Sequence, residues 1–238
     1  MLSRSESKYI QTLSHKKQRD GEGLFVVEGP KLAEELLQSE YNINKIFATQ
    51  SWADKNKETN AAIVTEDELQ KISNLQTANE VLMLVEMSQS KVITSFESTI
   101  TIALDGIQDP GNFGTIIRIA DWFGIKQIIC SKDCVELYNP KVIQSTMGSF
   151  IRVNINYVDI EASLQQVNVP VLGALLNGSD IKTIAKPKQG ILVIGNESKG
   201  IRANILPHIT NAISITRIGG AESLNAAVAT GIILSHLV

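Results

Sequence analysis

The order of strand-like and helix-like segments constrains the fold of this chain more than any other feature. A buried-type strand, ITIALDGI, is followed by NFGTIIRIADWFG, whose apolar residues recur at helical spacing, and this order repeats towards the C-terminus. Consecutive parallel strands need a crossover, which a helix usually supplies. The alternation therefore predicts an α/β fold with a mostly parallel sheet covered on both faces. Ligands of such sheets bind beyond the carboxyl ends of the strands.

The same reasoning divides the 238 residues into two α/β domains, 1–95 and 96–238. The polar, serine-rich stretch SQSKVITSFEST is the predicted linker between them. The smaller first domain is predicted to contain strands in LFVVEG, INKIFAT, AAIVT and EVLMLVEM, and helices in GPKLAEELLQS and EDELQKISN. The second is predicted to end in one helix, SLNAAVATGIILSHL.

Charge and composition narrow the class of protein. Hydrophobic residues make up 43% of the chain, which favours a packed core over disorder, and the net charge is −3, which argues against indiscriminate coating of nucleic acid. Residues 1–20 are locally basic and are predicted to form one helix. Its candidate RNA contacts are Lys8, Lys16, Lys17 and Arg19, although a merely solvated helix face explains the charges equally well.

Several kinds of protein are disfavoured by what the sequence lacks. Cys130 and Cys134 are too few for a disulfide framework, and with three scattered histidines they form no metal-ligand pattern. Neither a signal peptide nor a transmembrane span is recognisable, which predicts a soluble, cytoplasmic protein without a membrane partner.

Three loops that follow predicted strands of the second domain carry the polar residues that need an explanation. In DGIQDPGNFGTIIRIADWFG, Asn112 occupies the expected N-cap of a helix, and Arg118 stands among isoleucines six residues later. In ILVIGNESKG, an apolar strand runs into Gly195 and Glu197. In ISITRIGGAESLNAAVATGIIL, Ser223 and Asn225 precede an Ala-rich helix. Each loop alone is explained by capping, turns and surface charge.

Other nucleotide-binding and hydrolase motifs are missing. Gly200 is followed by Ile201 and not by Lys and Ser or Thr, so the second loop is not a phosphate-binding P-loop. No G-x-G-x-x-G follows a strand, and no G-x-S-x-G is present, which disfavours dinucleotide enzymes and the usual serine hydrolases.

Taken together and in order, the three loops resemble the three motifs of the SpoU (TrmH-type) RNA ribose 2′-O-methyltransferases of the SPOUT superfamily. The resemblance covers about residues 100–238. The first domain resembles the family's N-terminal substrate-binding domain, which is similar to RNA-binding ribosomal proteins. The resemblance implies a deep trefoil knot near the C-terminus, a homodimer, S-adenosylmethionine as cofactor and structured RNA as substrate, with ribosomal RNA favoured.

The resemblance also implies roles for individual residues. The polar catalytic set would be Asn112, Arg118, Glu197, Ser223 and Asn225. The cofactor would be held by Gly195, Ile215 and Leu224, with help from Leu175, Leu176 and Asn177. Thr216 stands where the family commonly has proline, and Ala226 stands where it often has valine.

A guanidinium stays protonated, so Arg118 is better suited to clamping an RNA phosphate than to accepting a proton. The proton of the 2′-hydroxyl would then pass to phosphate, water or Glu197. Asn112 and Asn225 would orient these groups, and Ser223 would cap the third loop. The alternatives are a transfer-RNA ribose methyltransferase, a catalytically inactive RNA-binding paralogue and a generic α/β enzyme that uses another nucleotide.

Overall fold

The computed structural model describes residues 2–88, 95–97 and 99–238. Contacts divide the chain into two compact units, Met1–Gln89 with Leu137–Ile151 and Ser90–Glu136 with Arg152–Val238. Most of the predicted linker lies outside the described residues, and the predicted boundary near residue 95 stays a prediction. Residues 137–151, which the sequence assigns to the second domain, group by contact with the first unit.

The first 88 residues contain five helices and four strands among the described positions. These are α1 (Arg4–Thr12), α2 (Lys16–Glu22), β1 (Leu24–Glu28), α3 (Pro30–Leu37), β2 (Ile43–Ala48), α4 (Gln50–Lys55), β3 (Ala62–Ile63), α5 (Glu66–Ile72) and β4 (Val81–Glu86). The sheet has the order β1-β4-β2-β3, and only the β2–β3 pair is parallel. Helix α4 is absent from the sequence prediction, because its six residues show no usable apolar period.

The predicted single helix over residues 1–20 is wrong, because the chain breaks at Leu13–His15 and forms α1 and α2 instead. Lys8, Lys16 and Lys17 are exposed, and Lys16 pairs with Asp20 at 3.0 Å. Arg19 is buried, and its Nη1 donates to the carbonyls of Leu13 and Ser14 at 2.8 and 2.7 Å. The prediction that Arg19 contacts RNA is therefore corrected, since its guanidinium holds the turn between the two helices together.

From residue 99 onward, α-helices separate the first four strands, and segments with short 3-10 helices join the last three. The elements are β5 (Ile100–Asp105), α6 (Pro110–Trp122), β6 (Gln127–Ser131), α7 (Pro140–Thr146), β7 (Asn154–Val158), α8 (Ile160–Leu164), β8 (Val171–Asp180), β9 (Gly190–Gly195), β10 (Asn211–Ser214) and α9 (Ala226–Leu237). All six strands join one sheet of order β10-β8-β9-β5-β6-β7, and every pairing in it is parallel. The predicted parallel α/β sheet is confirmed.

The two central strands of this sheet are buried on both faces. Every residue of β5 is buried, and so are the first five of β9, as expected for strands covered on both sides. Helix α9 packs on α6 and on β9. Strand β10 lies at the edge of the sheet, beside β8. After β9 the chain therefore crosses past β8 to form β10, and it then returns as α9. The knot implied by the family resemblance stays a prediction.

The segment around α7 belongs to the first unit through an aromatic cluster. The Tyr138 ring lies 4.5 Å from that of Phe25, and Phe150 lies 5.9 Å from Phe25 and 5.6 Å from Tyr41, measured between ring centroids. The Tyr138 hydroxyl donates to the Ser88 carbonyl at 3.1 Å. Residues distant in sequence thus complete one core.

Candidate functional site

The three polar loops begin at one edge of the parallel sheet. Strands β5 and β9 are neighbours in register, with Asp105 opposite Gly195 at their carboxyl ends. Strand β8 flanks β9, and β10 flanks β8. The loops after β5, β9 and β10 therefore leave the sheet on the side where ligands of such sheets bind.

Asn112 is not the N-cap that the sequence suggests. Asp109 caps α6, and its Oδ1 accepts the backbone N–H of Asn112 at 2.7 Å. Pro110 stands at the first helical position, where its missing N–H costs nothing. Asn112 lies in the first turn, and its amide is therefore available for contacts outside the helix.

Asn225, and not Ser223, caps the last helix. The Asn225 Oδ1 accepts the backbone N–H groups of Ala227 and Val228 at 3.0 and 3.2 Å. Ser223 lies exposed two residues earlier. The predicted capping role of Ser223 is therefore wrong, because the helix begins at Ala226 and its first free N–H groups point at Asn225.

These caps set the orientation of a hydrogen-bond chain through the site. Backbone N–H groups can only donate, so the oxygen of the Asn225 amide must face α9. Its Nδ2 then donates to Asn112 Oδ1 at 2.7 Å, and Asn112 Nδ2 donates to Glu197 Oε1 at 2.8 Å. Both amides are fixed without ambiguity. The predicted proximity of Asn112, Asn225 and Glu197 is observed.

Glu197 is the end of this chain. Its side chain is half-buried, and among the described residues only Oε1 has a hydrogen-bond donor. Oε2 is thus the acceptor that the chain Asn225–Asn112–Glu197 leaves unused. A carboxylate fixed at one oxygen and open at the other can accept a hydrogen bond, and then a proton, from a bound hydroxyl.

Arg118 does not join this chain. It is exposed on α6, and within the described residues it makes no hydrogen bond or ion pair with the other four members of the predicted catalytic set. Six residues separate it from Asn112, which turns its side chain to another side of the helix. Its predicted phosphate contact stays a prediction.

The residues predicted to hold the cofactor lie within β8, at the end of β9 and in the segment between β10 and α9. Gly195 ends β9, Ile215 follows β10, and Leu224 precedes the cap of α9. Leu176 is 81% exposed and, with Leu224, offers apolar surface without a covering side chain among the described positions; Asn177 is exposed and Leu175 half-buried. The set combines apolar side chains with backbone at strand ends, which fits an adenine and its sulfonium-bearing chain.

Two glycines of this region are required by the protein's own packing. A Cβ on Gly195 would lie 2.3 Å from the carbonyl carbon of Gly200, and one on Gly178 would lie 2.5 Å from the Ile213 backbone. Gly195 is thus required by the loop backbone that folds onto it, whether or not a ligand also approaches there.

Thr216 supplies a contact that the family's usual proline could not make. Its hydroxyl donates to Asp180 Oδ2 at the end of β8, and this bond is the main cause that lowers the pKa of Asp180. Ser214 Oγ donates to the Gly178 carbonyl at 2.8 Å. The start of the third loop is therefore tied to β8 by two side-chain hydrogen bonds.

Sequence reasoning missed a set of residues that support the loops. Asn196 Nδ2 donates to the Gly106 carbonyl at 2.7 Å, and its Oδ1 accepts the N–H groups of Ser198 and Lys199 at 3.0 and 3.1 Å. Asp105, at the end of β5, accepts hydrogen bonds from Arg202. A charged residue closing an otherwise apolar strand was the available signal.

Both cysteines are buried beneath the same edge. Cys134 Sγ donates to the Leu104 carbonyl at 3.3 Å, and Ser131 Oγ accepts the Gly106 N–H at 2.8 Å. A hydrogen bond from the Cys130 thiol is the main cause that lowers the pKa of Cys134 to about 7. Among the described residues, no His, Cys, Asp or Glu cluster could hold a metal ion, and no helix has the length and apolar character to cross a membrane.

Known proteins are similar to this chain in sequence and fold. The sequence profile of the SpoU rRNA Methylase family matches residues 99–235, and that of the MRM3-like substrate binding domain matches residues 5–83. The 23S rRNA (guanosine(2553)-2′-O)-methyltransferase RlmP of Bacillus subtilis is 30% identical over 94% of this chain and 92% of its own.

Solved structures agree with the sequence matches. A TrmH-family protein from Porphyromonas gingivalis has a TM-score of 0.89 at 31% identity and covers 100% of this chain and 98% of its own. An AdoMet-bound rRNA methyltransferase from Sinorhizobium meliloti has a TM-score of 0.88 at 30% identity, with 100% and 96% covered. With its three-loop edge, its parallel sheet and these matches over nearly its whole length, the chain belongs to the SpoU rRNA methylase family.

Proposed function

We propose that this chain transfers the methyl group of S-adenosylmethionine to a ribose 2′-hydroxyl of ribosomal RNA. The observation that carries the proposal is the chain Asn225–Asn112–Glu197, which ends in a carboxylate oxygen without a donor among the described residues. A 2′-hydroxyl is a weak nucleophile, and its reaction requires alignment and the removal of one proton. Glu197 Oε2 can align the hydroxyl by accepting its hydrogen bond, and can then accept its proton.

The cofactor would lie against Gly195, Ile215 and Leu224, with Leu175, Leu176 and Asn177 beside it. When bound, its sulfonium supplies an electrophilic methyl group. Leu176 and Leu224 would exclude water from the adenine, and the backbone at the strand ends would bind its edge. The order of β9, β8 and β10, followed by the return of α9 onto β9, supports the family's trefoil knot around these loops.

Arg118 would bind the RNA phosphate next to the target ribose through its planar guanidinium. Its exposed position is compatible with this role. Arg118→Lys keeps the charge but loses the two parallel hydrogen bonds, so we expect turnover to fall by about tenfold, as for a ~1.4 kcal/mol loss of binding in the transition state. Near-normal turnover of this variant would exclude the bidentate clamp.

A homodimer would cover apolar surface that the single chain leaves exposed. Trp122 at the end of α6 is 82% exposed, and Val228 and Ile232 on α9 are also exposed. The two helices pack on each other, which supports an interface formed by both. We expect a dimer in sedimentation equilibrium and a monomer for Trp122→Glu; an identical mass for both proteins would contradict this interface.

The substrate is proposed to be a guanosine ribose of large-subunit ribosomal RNA, after the reaction in the name of the Bacillus subtilis relative. The proposed location of the protein is the cytoplasm. Lys8 and Lys17, both exposed, would contribute phosphate contacts. These contacts are best tested by charge-neutralising variants, because deletion of residues 1–95 would remove Phe25 and Tyr41 from the aromatic cluster that Tyr138 and Phe150 complete.

The substrate proposal is tested by mapping 2′-O-methyl groups in ribosomal and transfer RNA from cells with and without the gene. We expect one ribose of large-subunit RNA to lose its methyl group in the deletion strain and to regain it with the wild-type gene. Loss at a transfer-RNA position would assign the alternative substrate. Unchanged maps, together with no measurable binding of S-adenosylmethionine in calorimetry, would support an inactive paralogue.

A further inference from the structure

The loop that carries Glu197 is a closed structure with its own fixed geometry. Asn196 and Gly200 exchange two backbone hydrogen bonds, of 3.1 and 2.9 Å, across its ends. The Asn196 side chain binds two N–H groups inside the loop. Gly200 packs onto Gly195 and leaves no space for a side chain at position 195. Glu197 is therefore carried by a loop that can move only as a body.

The position of that body is set by its attachments to the end of β5 and to the residue that follows it. One attachment is the bond from Asn196 to the Gly106 carbonyl. The other is Arg202, whose backbone N–H donates to Asp105 Oδ2 at 2.8 Å while its guanidinium binds Asp105 Oδ1. Asp105 is 1% exposed, and both of its oxygens are taken by this one residue.

The same two loops also carry the two ends of the catalytic contact. Asp105 begins the segment that leads to Asn112, and Arg202 ends the segment that contains Glu197. A buried carboxylate bound at both oxygens by one residue allows little rotation or sliding. The pair therefore determines how Glu197 meets the Asn112 amide.

We propose that Asp105 and Arg202 are positioning residues for methyl transfer, which hold the Glu197 loop where Glu197 can receive both Asn112 and the ribose hydroxyl. This inference rests on the proposed function of Glu197. The pair touches neither substrate nor cofactor in this account, and it acts only through the placement of Glu197. The second ion pair of Arg202, to Asp133 at 3.5 Å, steadies the guanidinium from the outside.

The first test measures kcat and KM for Asp105→Asn and Arg202→Gln. Asp105→Asn keeps one acceptor but turns an amide N–H₂ towards the guanidinium. We expect kcat to fall by about 10–100-fold, the cost of small misplacements in an active site, while KM for RNA and Kd for S-adenosylmethionine stay within about threefold of wild type. Arg202→Lys keeps the charge and the backbone bond, and should recover part of kcat.

The matched control is Glu161→Ala, which removes the acceptor of the Asn204 amide. Glu161 binds Asn204, two residues after Arg202, and so ties the same segment to α8 without touching the Glu197 loop. This variant should keep kcat near wild type. An equal loss of kcat in the control would overturn the proposal, because any loosening of the segment would then have the same effect.

The decisive test is a double-mutant cycle with Glu197→Gln. If the pair acts through Glu197, adding Asp105→Asn to Glu197→Gln should lower kcat by less than about twofold further. Full multiplication of the two losses would show that Asp105 has only a general structural role. If Asp105→Asn does not fold, Arg202→Gln takes its place in the cycle, because the Arg202 side chain is 45% exposed.

If wild-type protein methylates no RNA, the proposed function is wrong and the positioning role falls with it. If wild-type protein is active and the losses multiply, only the positioning role is overturned.

Discussion

Two glutamates at strand ends differ in how completely their carboxylates are used. Glu28 ends β1 in the first unit; Asn74 donates to Oε1 through its backbone at 2.9 Å and its side chain at 3.1 Å, and Ser73 donates to Oε2. Glu197 follows β9 in the second unit and has a donor at Oε1 only, among the described residues. Glu28 is 6% exposed, whereas Glu197 is half-buried.

The difference separates a structural carboxylate from a reactive one. Glu28 holds the turn after α5 against β1, and all its contacts are internal. Glu197 is oriented from one side by an amide whose own orientation is fixed by Asn225. The second oxygen of Glu197 is therefore available to bind a substrate. Replacing Glu197 should affect turnover more than stability.

The largest effect is expected for Glu197→Gln. The amide is isosteric but cannot accept the 2′-hydroxyl proton, so kcat should fall by about 10²–10⁴-fold, the range for loss of a positioned general base. Thermal stability should stay near wild type, because the loop is held by Asn196 and Arg202. Single-turnover methyl transfer and calorimetric melting measure the two quantities. A kcat within threefold of wild type would remove Glu197 from the chemistry.

Glu28→Gln should give the opposite result. Its amide N–H₂ would face one of the donors Ser73 and Asn74, which costs about 1–3 kcal/mol for a buried polar group that loses its partner. Urea unfolding should show this loss, and kcat per folded molecule should not change. If Glu28→Gln reduced kcat as much as Glu197→Gln does, the contrast between the two carboxylates would have no functional meaning.

Asn225→Asp tests the direction of the hydrogen-bond chain. The new carboxylate can still cap α9, but its second oxygen would face Asn112 Oδ1, and the Asn112 amide would have to turn its oxygen towards Glu197. We expect kcat to fall by about 10–100-fold, as when a fixed donor of an active site is lost. Asn225→Ser keeps a cap without this repulsion and should retain more activity. Equal activities of the two variants would contradict the assigned direction.

The smallest effect is expected at Thr216, in the loop beside the proposed cofactor site. Thr216→Val removes the hydrogen bond that ties the third loop to Asp180, so Kd for S-adenosylmethionine should rise, by less than about tenfold. Thr216→Ser keeps the hydroxyl and should bind as wild type does. Equal affinity of the Val variant in calorimetry would show that this bond does not order the loop.

The sheet was predictable from the sequence because its central strands are continuous apolar runs. Continuous apolar runs such as ILVIG predict strands buried on both faces, and β5 and β9 are of this kind. The break between α1 and α2 was not predictable from charge. It depends on Arg19, which turns inward to bind the carbonyls of Leu13 and Ser14, and a basic residue in a polar segment gives no sign of burial.

The members of the candidate site were predictable, but their contacts were not. The motifs singled out Asn112, Glu197 and Asn225. Asn112 is 85 residues from Glu197 and 113 residues from Asn225 along the chain, so their hydrogen bonds could not be read from local patterns. Which residue caps each helix was decided by local geometry, as Asp109 and Asn225 show. The contribution of Asp105 and Arg202 required the register of β5 against β9, which no local pattern contains.

The central claim is that the unused oxygen of Glu197 serves methyl transfer to a ribose hydroxyl. The most direct measurement incubates the protein with S-adenosylmethionine labelled in its methyl group and ribosomal RNA from a strain that lacks the gene, and then hydrolyses the RNA in alkali. The account predicts label in alkali-stable dinucleotides, because a 2′-O-methyl group blocks cleavage of the next phosphodiester, and the loss of nearly all of it with Glu197→Gln. Label in mononucleotides would contradict it, because the methyl group would then be on a base.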